Sequence, residues 1–321
     1  LSSSSAASDV YKRQALGAAP ERVRSDAARA GWSAYVLRAE QAVGRCRLEL
    51  TFAPPSAAGG AVVQSVSLYV AKPAAALVQS LARVANTVGW VGGEVADPWH
   101  RFPAYFGTDM SSRSALLQQS KVFMSGLSDE AGLAMPLAMA AKQLGLADAL
   151  DVRRLEAMVH ETLLAPPNAS ARVRARFLQS ADDWGVRRSQ LFWSDEVDAD
   201  PAVAAAAPEL YAACHRCWPK CWWLICWSEP EAAKTWRAFH YPHVAAIYWA
   251  LYRVGSRRQP ALVRAAPADW YLEAAARTAL GMYAHGGRTH GLAQWGLMGG
   301  VTFVLIPVSY THLRAHETDS Y

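Results

Sequence analysis

The sequence is poor in charge: Asp, Glu, Lys and Arg make up only 18% of its 321 residues, whereas apolar residues make up 52%. This balance argues against an intrinsically disordered chain, which combines low hydrophobicity with a high net charge. The net charge of +5 comes mostly from scattered arginines, and clusters such as Arg172, Arg174 and Arg176 are short. Since no long basic stripe is present, we expect no nucleic-acid partner.

Long apolar runs are scarce as well. The longest, residues 291–308, contains four glycines, a glutamine and a proline, and it only just reaches the length that spans a bilayer. We interpret it as a buried helix and expect no membrane partner. No secretory signal is visible, which leaves the compartment open because the native N-terminus is expected to lie upstream.

Several familiar catalytic motifs are also missing. The sequence contains no phosphate-cradling glycine loop, no Gly-x-Ser-x-Gly elbow and no Cys–His nucleophile pattern. His240 and His243 are three residues apart, as metal ligands can be, but no third ligand is evident. We therefore expect no metal and no other cofactor.

Cysteine is concentrated in one place: four of the five cysteines lie within residues 214–226, CHRCWPKCWWLIC. Zinc sites usually separate two close ligand pairs by a longer loop, and this spacing does not. The interpretations, in order of preference, are a loop or a local reading-frame error, a disulfide, and a zinc site.

The two ends of the chain differ from the rest. Residues 1–14 and 308–321 show neither the strand period nor the helix period, and both resemble peptides translated from library adapter sequence. We expect both to be tails foreign to the fold, with the native chain cut on both sides.

Between these ends, a short β-like part precedes a long helical part. Residues 45–52 and 63–70 alternate apolar and polar positions and predict a hairpin, which needs a larger sheet for stability. A connecting helix over 74–89 and an aromatic loop over 97–109 follow. Helical periodicity then predicts helices over 112–124, 129–145, 148–164, 170–181, 203–216, 230–239, 243–254, 270–284 and 291–305.

Helices of similar length joined by short loops form αα-hairpins, which must bury their apolar faces against neighbours. Arranged in a circle, such hairpins make an α/α toroid. Eight or nine helices do not complete the twelve of a six-hairpin toroid, so the fold class is mainly α, with a partial toroid over 111–307.

The segment at the start of the second predicted toroid helix carries adjacent carboxylates, Asp129 and Glu130, directly after Ser128. Ser128 is a good helix cap, and acidic residues in a first helical turn interact favourably with the helix dipole. Capping alone would explain both carboxylates. The functional alternative is that this helix end points them into the central cavity of the toroid.

Four segments together, LSDEAG (127–132), LAMAAKQLG (137–145), YFGTDM (105–110) and HYPHVAAIYWALYRVG (240–255), resemble an uncharacterised family of six-hairpin glycosidase-like proteins. The resemblance covers roughly residues 45–305. It implies a β-sandwich, here only its C-terminal strands (15–73), then a connecting helix and loop (74–110) and an (α/α)6 toroid.

The resemblance implies a glycoside hydrolase that acts on an oligo- or polysaccharide through paired carboxyl groups. Asp129 and Glu130 are the predicted catalytic residues, and the partner carboxylate is expected beyond the present C-terminus. The alternatives are a non-catalytic carbohydrate-binding toroid and a polysaccharide lyase, in which Tyr241 or His243 would serve as the base.

Thirteen tryptophans and twelve tyrosines exceed what a core of this size needs, and exposed aromatic rings stack on sugars. The predicted substrate-binding residues are Asp109, Trp99, Tyr105, Tyr241 and His243.

Overall fold

The computed structural model describes residues 21–23, 34–36, 44–52, 62–95, 97–117, 133–219, 226–235, 238–287 and 303–311. The chain divides into two units, Leu1–Leu77 and Val78–Tyr321. Helices dominate the described residues, in agreement with the predicted mainly α class.

The first unit contains two antiparallel strand pairs. Its strands are β1 (Glu21–Val23), β2 (Ala34–Val36), β3 (Gly44–Phe52) and β4 (Val62–Val70). The predicted hairpin is confirmed by the pairing of β3 with β4, in which Cys46 lies opposite Leu68 and Leu48 opposite Val66. Each sheet has two strands within the described part of this unit, so the larger β-sandwich remains a prediction.

The N-terminal part of the second unit contains four strands of two residues each. They are β5 (Trp90–Val91), β6 (Ala104–Tyr105), β7 (Thr108–Asp109) and β8 (Ser114–Ala115). β5 pairs with β6 and β7 with β8, both antiparallel. These short pairs shape the loop between the first helix and the helical core.

The helices in chain order are α1 (Ala74–Val84), α2 (Ala134–Lys142), α3 (Ala149–Met158), α4 (Ala171–Arg174), α5 (Asp195–Ala199), α6 (Pro201–Ala206), α7 (Pro208–His215), α8 (Glu229–Ala232), α9 (Tyr241–Arg253), α10 (Ala268–Gly281) and α11 (303–311). A short 3₁₀ turn, Ala238–His240, leads into α9.

The centre of the second unit is an αα-hairpin of α9 and α10. α9 is buried around almost its whole circumference, as expected for a helix that is apolar on all sides. Gly255 at its end packs against Val263 and Ala268, at the start of α10. The 3₁₀ turn before α9 contacts the segment after α10, so the two helices run antiparallel.

The four longest of the helices up to residue 287 end in the same way. α1, α3, α9 and α10 each continue into a π-helical turn. These turns are Ala85–Gly89, Val159–Leu163, Val254–Arg258 and Met282–Gly287. π-helical turns are rare and occur frequently near functional sites.

Four predicted helices differ in the structure. The predicted helix over 230–239 is only the four residues of α8, and its last described residues belong to the 3₁₀ turn Ala238–His240. The predicted helix over 112–124 does not begin at 112, because Asp109 accepts hydrogen bonds from Ser111 and Ser112 and closes a turn between β7 and β8. The predicted helix over 203–216 is divided where α7 starts at Pro208, which lacks the N–H that would continue the preceding helix. The predicted helix over 170–181 is only the four residues of α4.

A second, smaller core lies apart from the main one. It includes Trp99, Trp193 and Leu210, together with Cys214 and Cys226, which form a disulfide. The disulfide, which was the second interpretation after a loop or frame error, is therefore confirmed for Cys214 and Cys226.

The last described helix, α11, crosses a predicted boundary. The predicted fold ends at residue 307, whereas α11 continues through residue 311. Ile306 is buried in the main core. The start of the tail predicted at residue 308 is therefore helical in the structure.

Candidate functional site

The start of α9 gathers three side chains that can transfer protons. His240 and Tyr241 are fully buried, and His243 is nearly so. Pro242 occupies the first turn of the helix, where its missing N–H costs no hydrogen bond. Buried imidazole and phenol groups side by side at a helix start are typical of sites that handle protons.

The hydroxyl of Tyr241 faces the loop that precedes α5. Burial raises its pKa, and Asp183 adds to the increase. The hydroxyl makes no hydrogen bond with any described residue. Tyr241 therefore stays protonated at neutral pH.

Trp184 lies in the same loop and has two unusual properties. Its backbone φ is 59°, in the left-handed region that non-glycine residues seldom adopt. Its indole Nε1 is buried without a hydrogen-bond partner among the described residues. Backbone strain and an unpaired buried donor are both common where a protein is built to meet a ligand.

Gln179 fastens this loop to the central hairpin. Its buried side-chain amide donates to the Trp184 carbonyl at 3.2 Å and to Thr278 Oγ1 of α10 at 2.9 Å. Its carbonyl oxygen accepts a hydrogen bond of 2.8 Å from the hydroxyl of Tyr248 on α9. One side chain thus sets the position of Trp184 relative to both helices.

Gly281, the last residue of α10, allows Trp184 to pack closely. A Cβ atom on Gly281 would lie 2.6 Å from the Trp184 carbonyl oxygen, too close for any real contact. The Gly281→Ala variant should therefore displace the Trp184 backbone and lower the free energy of unfolding by about 1–3 kcal/mol. Urea denaturation followed by tryptophan fluorescence measures this effect.

Gly145 is the matched control for that substitution. A Cβ atom there meets nothing within 4 Å, so Gly145→Ala should be neutral or stabilising by up to about 1 kcal/mol. Equal destabilisation by the two variants would contradict the close packing at Gly281.

A hydrogen-bonded chain lies near the opposite end of α10. Tyr271 donates to Glu156 Oε1 at 2.9 Å, and the Nε2 atom of His160 lies 3.1 Å from the Tyr271 hydroxyl. Because the hydroxyl proton is committed to Glu156, Nε2 of His160 is the donor of that pair. Glu156 also accepts from the backbone amides of Arg264 and Ala265, each at 2.9 Å.

His160 should make stability depend on pH. Burial lowers its pKa from the ordinary value of 6.5, against the opposing effect of Glu156 and Glu161. The unfolded chain then binds a proton at a higher pH than the folded chain, so stability is lost as the pH falls below about 6.5. The difference in unfolding free energy between the wild type and His160→Gln should shrink between pH 8 and pH 5 in urea titrations. A difference that is independent of pH would contradict this assignment.

The structure places the predicted residues as follows. Asp129 and Glu130, the predicted catalytic pair, lie outside the described residues, and their role stays a prediction. The carboxylate of Asp109 is occupied by Ser111 and Ser112, whose hydrogen bonds lower its pKa to about 2.

The two predicted stacking residues of the aromatic loop are both buried. Trp99 is 2% exposed and donates through Nε1 to the Phe192 carbonyl at 2.8 Å. Tyr105 donates to Asn86 Oδ1 at 2.9 Å. These contacts pack the two side chains into cores, and their predicted part in substrate binding stays a prediction.

The structure therefore brings Tyr241 and His243 together, and it adds residues that the sequence analysis did not select. Gln179 and Trp184 are the clearest additions. The turn-forming Asp–Asp–Trp–Gly run at 182–185 was the available signal for Trp184. In the part of the chain that the structure describes, no group of three or more His, Cys, Asp or Glu could hold a metal ion.

These elements define a mainly α-helical protein with strand pairs in its N-terminal unit and a polar, aromatic site at the start of α9. The chain belongs to the DUF5695 family, a family of unknown function, whose pattern matches residues 3–314. The matched range includes most of the segment 1–14 and half of the segment 308–321, both of which were predicted to be foreign tails. The predicted resemblance to an uncharacterised family agrees with this assignment.

The comparison with solved structures gives a distant match. A polysaccharide lyase matches with a TM-score of 0.46 and 16% sequence identity, over 88% of this chain and 32% of that chain. The present chain thus spans about a third of the length of that protein. No curated protein matches the sequence. Among the described helices, none is long and apolar enough to cross a membrane.

Proposed function

We propose that this protein is a carbohydrate-active enzyme with its substrate site at the start of α9, and that it cleaves a uronic-acid-containing polysaccharide by β-elimination. The observation that carries the proposal is the grouping of His240, Tyr241 and His243 next to Trp184. The same stretch, residues 240–255, carries part of the sequence resemblance to six-hairpin glycosidase-like proteins.

Elimination requires one group that removes a proton and one that returns it. The base takes the proton from C5 of the uronic acid, the C4–O4 bond breaks, and a C4–C5 double bond forms while O4 receives a proton. The phenol of Tyr241 suits the proton donor, because it is protonated at neutral pH and lies beside two imidazoles. An imidazole, His240 or His243, suits the base.

The aromatic and amide groups of the site suit substrate binding. The unpaired Nε1 of Trp184 can donate to a sugar hydroxyl or carboxylate, and buried donors that await a partner discriminate strongly between ligands. Gln179 would hold Trp184 in place without touching the substrate, since its side chain hydrogen-bonds to Trp184, Thr278 and Tyr248 within the protein.

The fold that we propose for this enzyme is the (α/α)6 toroid of the six-hairpin glycosidase-like proteins, with the strands of the first unit as part of a β-sandwich. The antiparallel pair of α9 and α10 supports this proposal, because αα-hairpins are the repeating unit of such a toroid.

Hydrolysis is the second candidate reaction. The sequence LSDEAG favours it, because paired carboxyl groups are the chemistry that hydrolysis of a glycosidic bond requires. In the hydrolytic mechanism, Asp129 or Glu130 acts as the general acid, and the start of α9 contributes to sugar binding only.

One assay separates these reactions. The full chain is incubated with a panel of polyuronides and neutral polysaccharides, and both reducing ends and ultraviolet absorbance of the products are measured. Elimination yields reducing ends together with an absorbing double bond. Reducing ends without absorbance would overturn elimination in favour of hydrolysis, and Glu130→Gln should then abolish turnover while sugar binding is retained. Binding without any product would overturn both reactions and leave a carbohydrate-binding protein.

A further inference from the structure

The chain contains only two asparagines, and they differ sharply in their surroundings. Asn86 is engaged by the side chains of Tyr105, Arg154 and Asp151. Asn168 is exposed, and its side-chain amide makes no hydrogen bond with any described residue. The exposed side-chain amide of Asn168 is therefore accessible to a modifying enzyme.

Asn168 begins the sequence Asn168–Ala169–Ser170, an acceptor pattern for N-linked glycans. The same residues have clear structural reasons to be there. Asn168 has a φ of 59°, and the Ala169 amide donates to the Pro166 carbonyl at 3.3 Å, which is the pattern of a type II turn. Ser170 caps α4 through its hydroxyl. The pattern alone therefore does not establish modification.

The disulfide supplies an independent observation. Cys214 and Cys226 are bonded to each other, and Cys217 is also disulfide-bonded. Disulfides persist in oxidising compartments, and the eukaryotic secretory pathway, where N-linked glycans are attached, is one of these. The surface position of Asn168 also leaves room for a bulky polar group in the folded protein.

We propose that Asn168 is an N-glycosylation site when the chain passes through a eukaryotic secretory pathway. In the transfer, Nδ2 of Asn168 forms a bond to the anomeric carbon of a lipid-pyrophosphate-linked oligosaccharide. The bond from that carbon to the pyrophosphate oxygen breaks, the lipid pyrophosphate leaves, and one amide proton is lost to solvent. The inference concerns this surface turn and does not depend on the proposed reaction.

The test uses variants that separate the turn and cap from the acceptor pattern. Asn168→Gly keeps the left-handed turn but removes the amide. Ser170→Asp keeps a good helix cap but removes the hydroxyl of the pattern, whereas Ser170→Thr keeps both. Each full-length protein is secreted from a eukaryotic host and compared by gel mobility before and after an endoglycosidase, with mass analysis of the peptide that contains residue 168.

The wild type and Ser170→Thr should each lose one glycan on digestion, while Asn168→Gly and Ser170→Asp should show no shift. Mass analysis of peptides from the unreduced wild type reports whether Cys214 and Cys226 are bonded. A secreted wild type that carries this disulfide and no glycan would overturn the proposal. So would a digestible glycan that persists in Asn168→Gly.

Discussion

Replacing Tyr241 by phenylalanine should lower kcat on a uronic-acid polysaccharide by about 100- to 10,000-fold, the usual contribution of one proton-transfer group. Phenylalanine keeps the ring that is buried at the start of α9 and removes only the hydroxyl. Because that hydroxyl makes no hydrogen bond among the described residues, its loss should leave stability nearly unchanged. The measurement is the rate of formation of the ultraviolet-absorbing product at saturating substrate.

Tyr252→Phe is the matched control, since Tyr252 belongs to the same helix and is also buried. This control should retain the wild-type kcat. Full activity of a folded Tyr241→Phe protein would remove Tyr241 from the chemistry. Comparing His240→Gln with His243→Gln then identifies the base as the imidazole whose loss lowers kcat more.

The second large effect concerns stability. Glu156→Ala should lower the free energy of unfolding by about 3–5 kcal/mol, because it leaves several buried donors without an acceptor. The Glu156 side chain is 3% exposed and accepts from the amides of Arg264 and Ala265 and from the Tyr271 hydroxyl. Its loss would free the loop that leads into α10. Urea denaturation of the full chain measures the change.

Two further variants check the cause of that loss. Glu156→Gln keeps one acceptor oxygen and should cost about half as much. Glu161→Ala removes an exposed carboxylate from the next turn and should change stability by less than about 0.5 kcal/mol. If Glu156→Ala behaved like Glu161→Ala, the network at the start of α10 would contribute nothing to stability.

The helices that could be predicted from sequence are the long ones with strong start and stop signals. α9 and α10 match their predictions closely, because Pro242 and Asp269 lie in the first turns of the two helices and Gly255 follows the end of α9. The short helices could not be predicted as well. Whether Asp109 caps a helix or closes a turn depends on Ser111 and Ser112, and helical periodicity is the same in both cases.

The candidate site could be predicted only in part. Tyr241 and His243 were identifiable because they stand in a distinctive helix start. Gln179 and Trp184 were not, because their importance comes from contacts with Thr278 and Tyr248, which are 99 and 69 residues away from Gln179 in the chain. Such distant contacts leave no local pattern in a single sequence, and the run at 182–185 indicates a turn but not the contacts of Trp184.

The π-helical turns that follow α1, α3, α9 and α10 bear on any alignment of this family. A π-helical turn takes up more residues than an ordinary turn, so it behaves like a one-residue insertion that the helix has absorbed. Because α9 ends with this turn, a relative that lacks the insertion would leave the helix in a direction rotated around the axis by roughly 100°. Relatives should therefore be aligned separately before and after residues 254–258, since the inserted residue shifts the register of the loop that leads into α10.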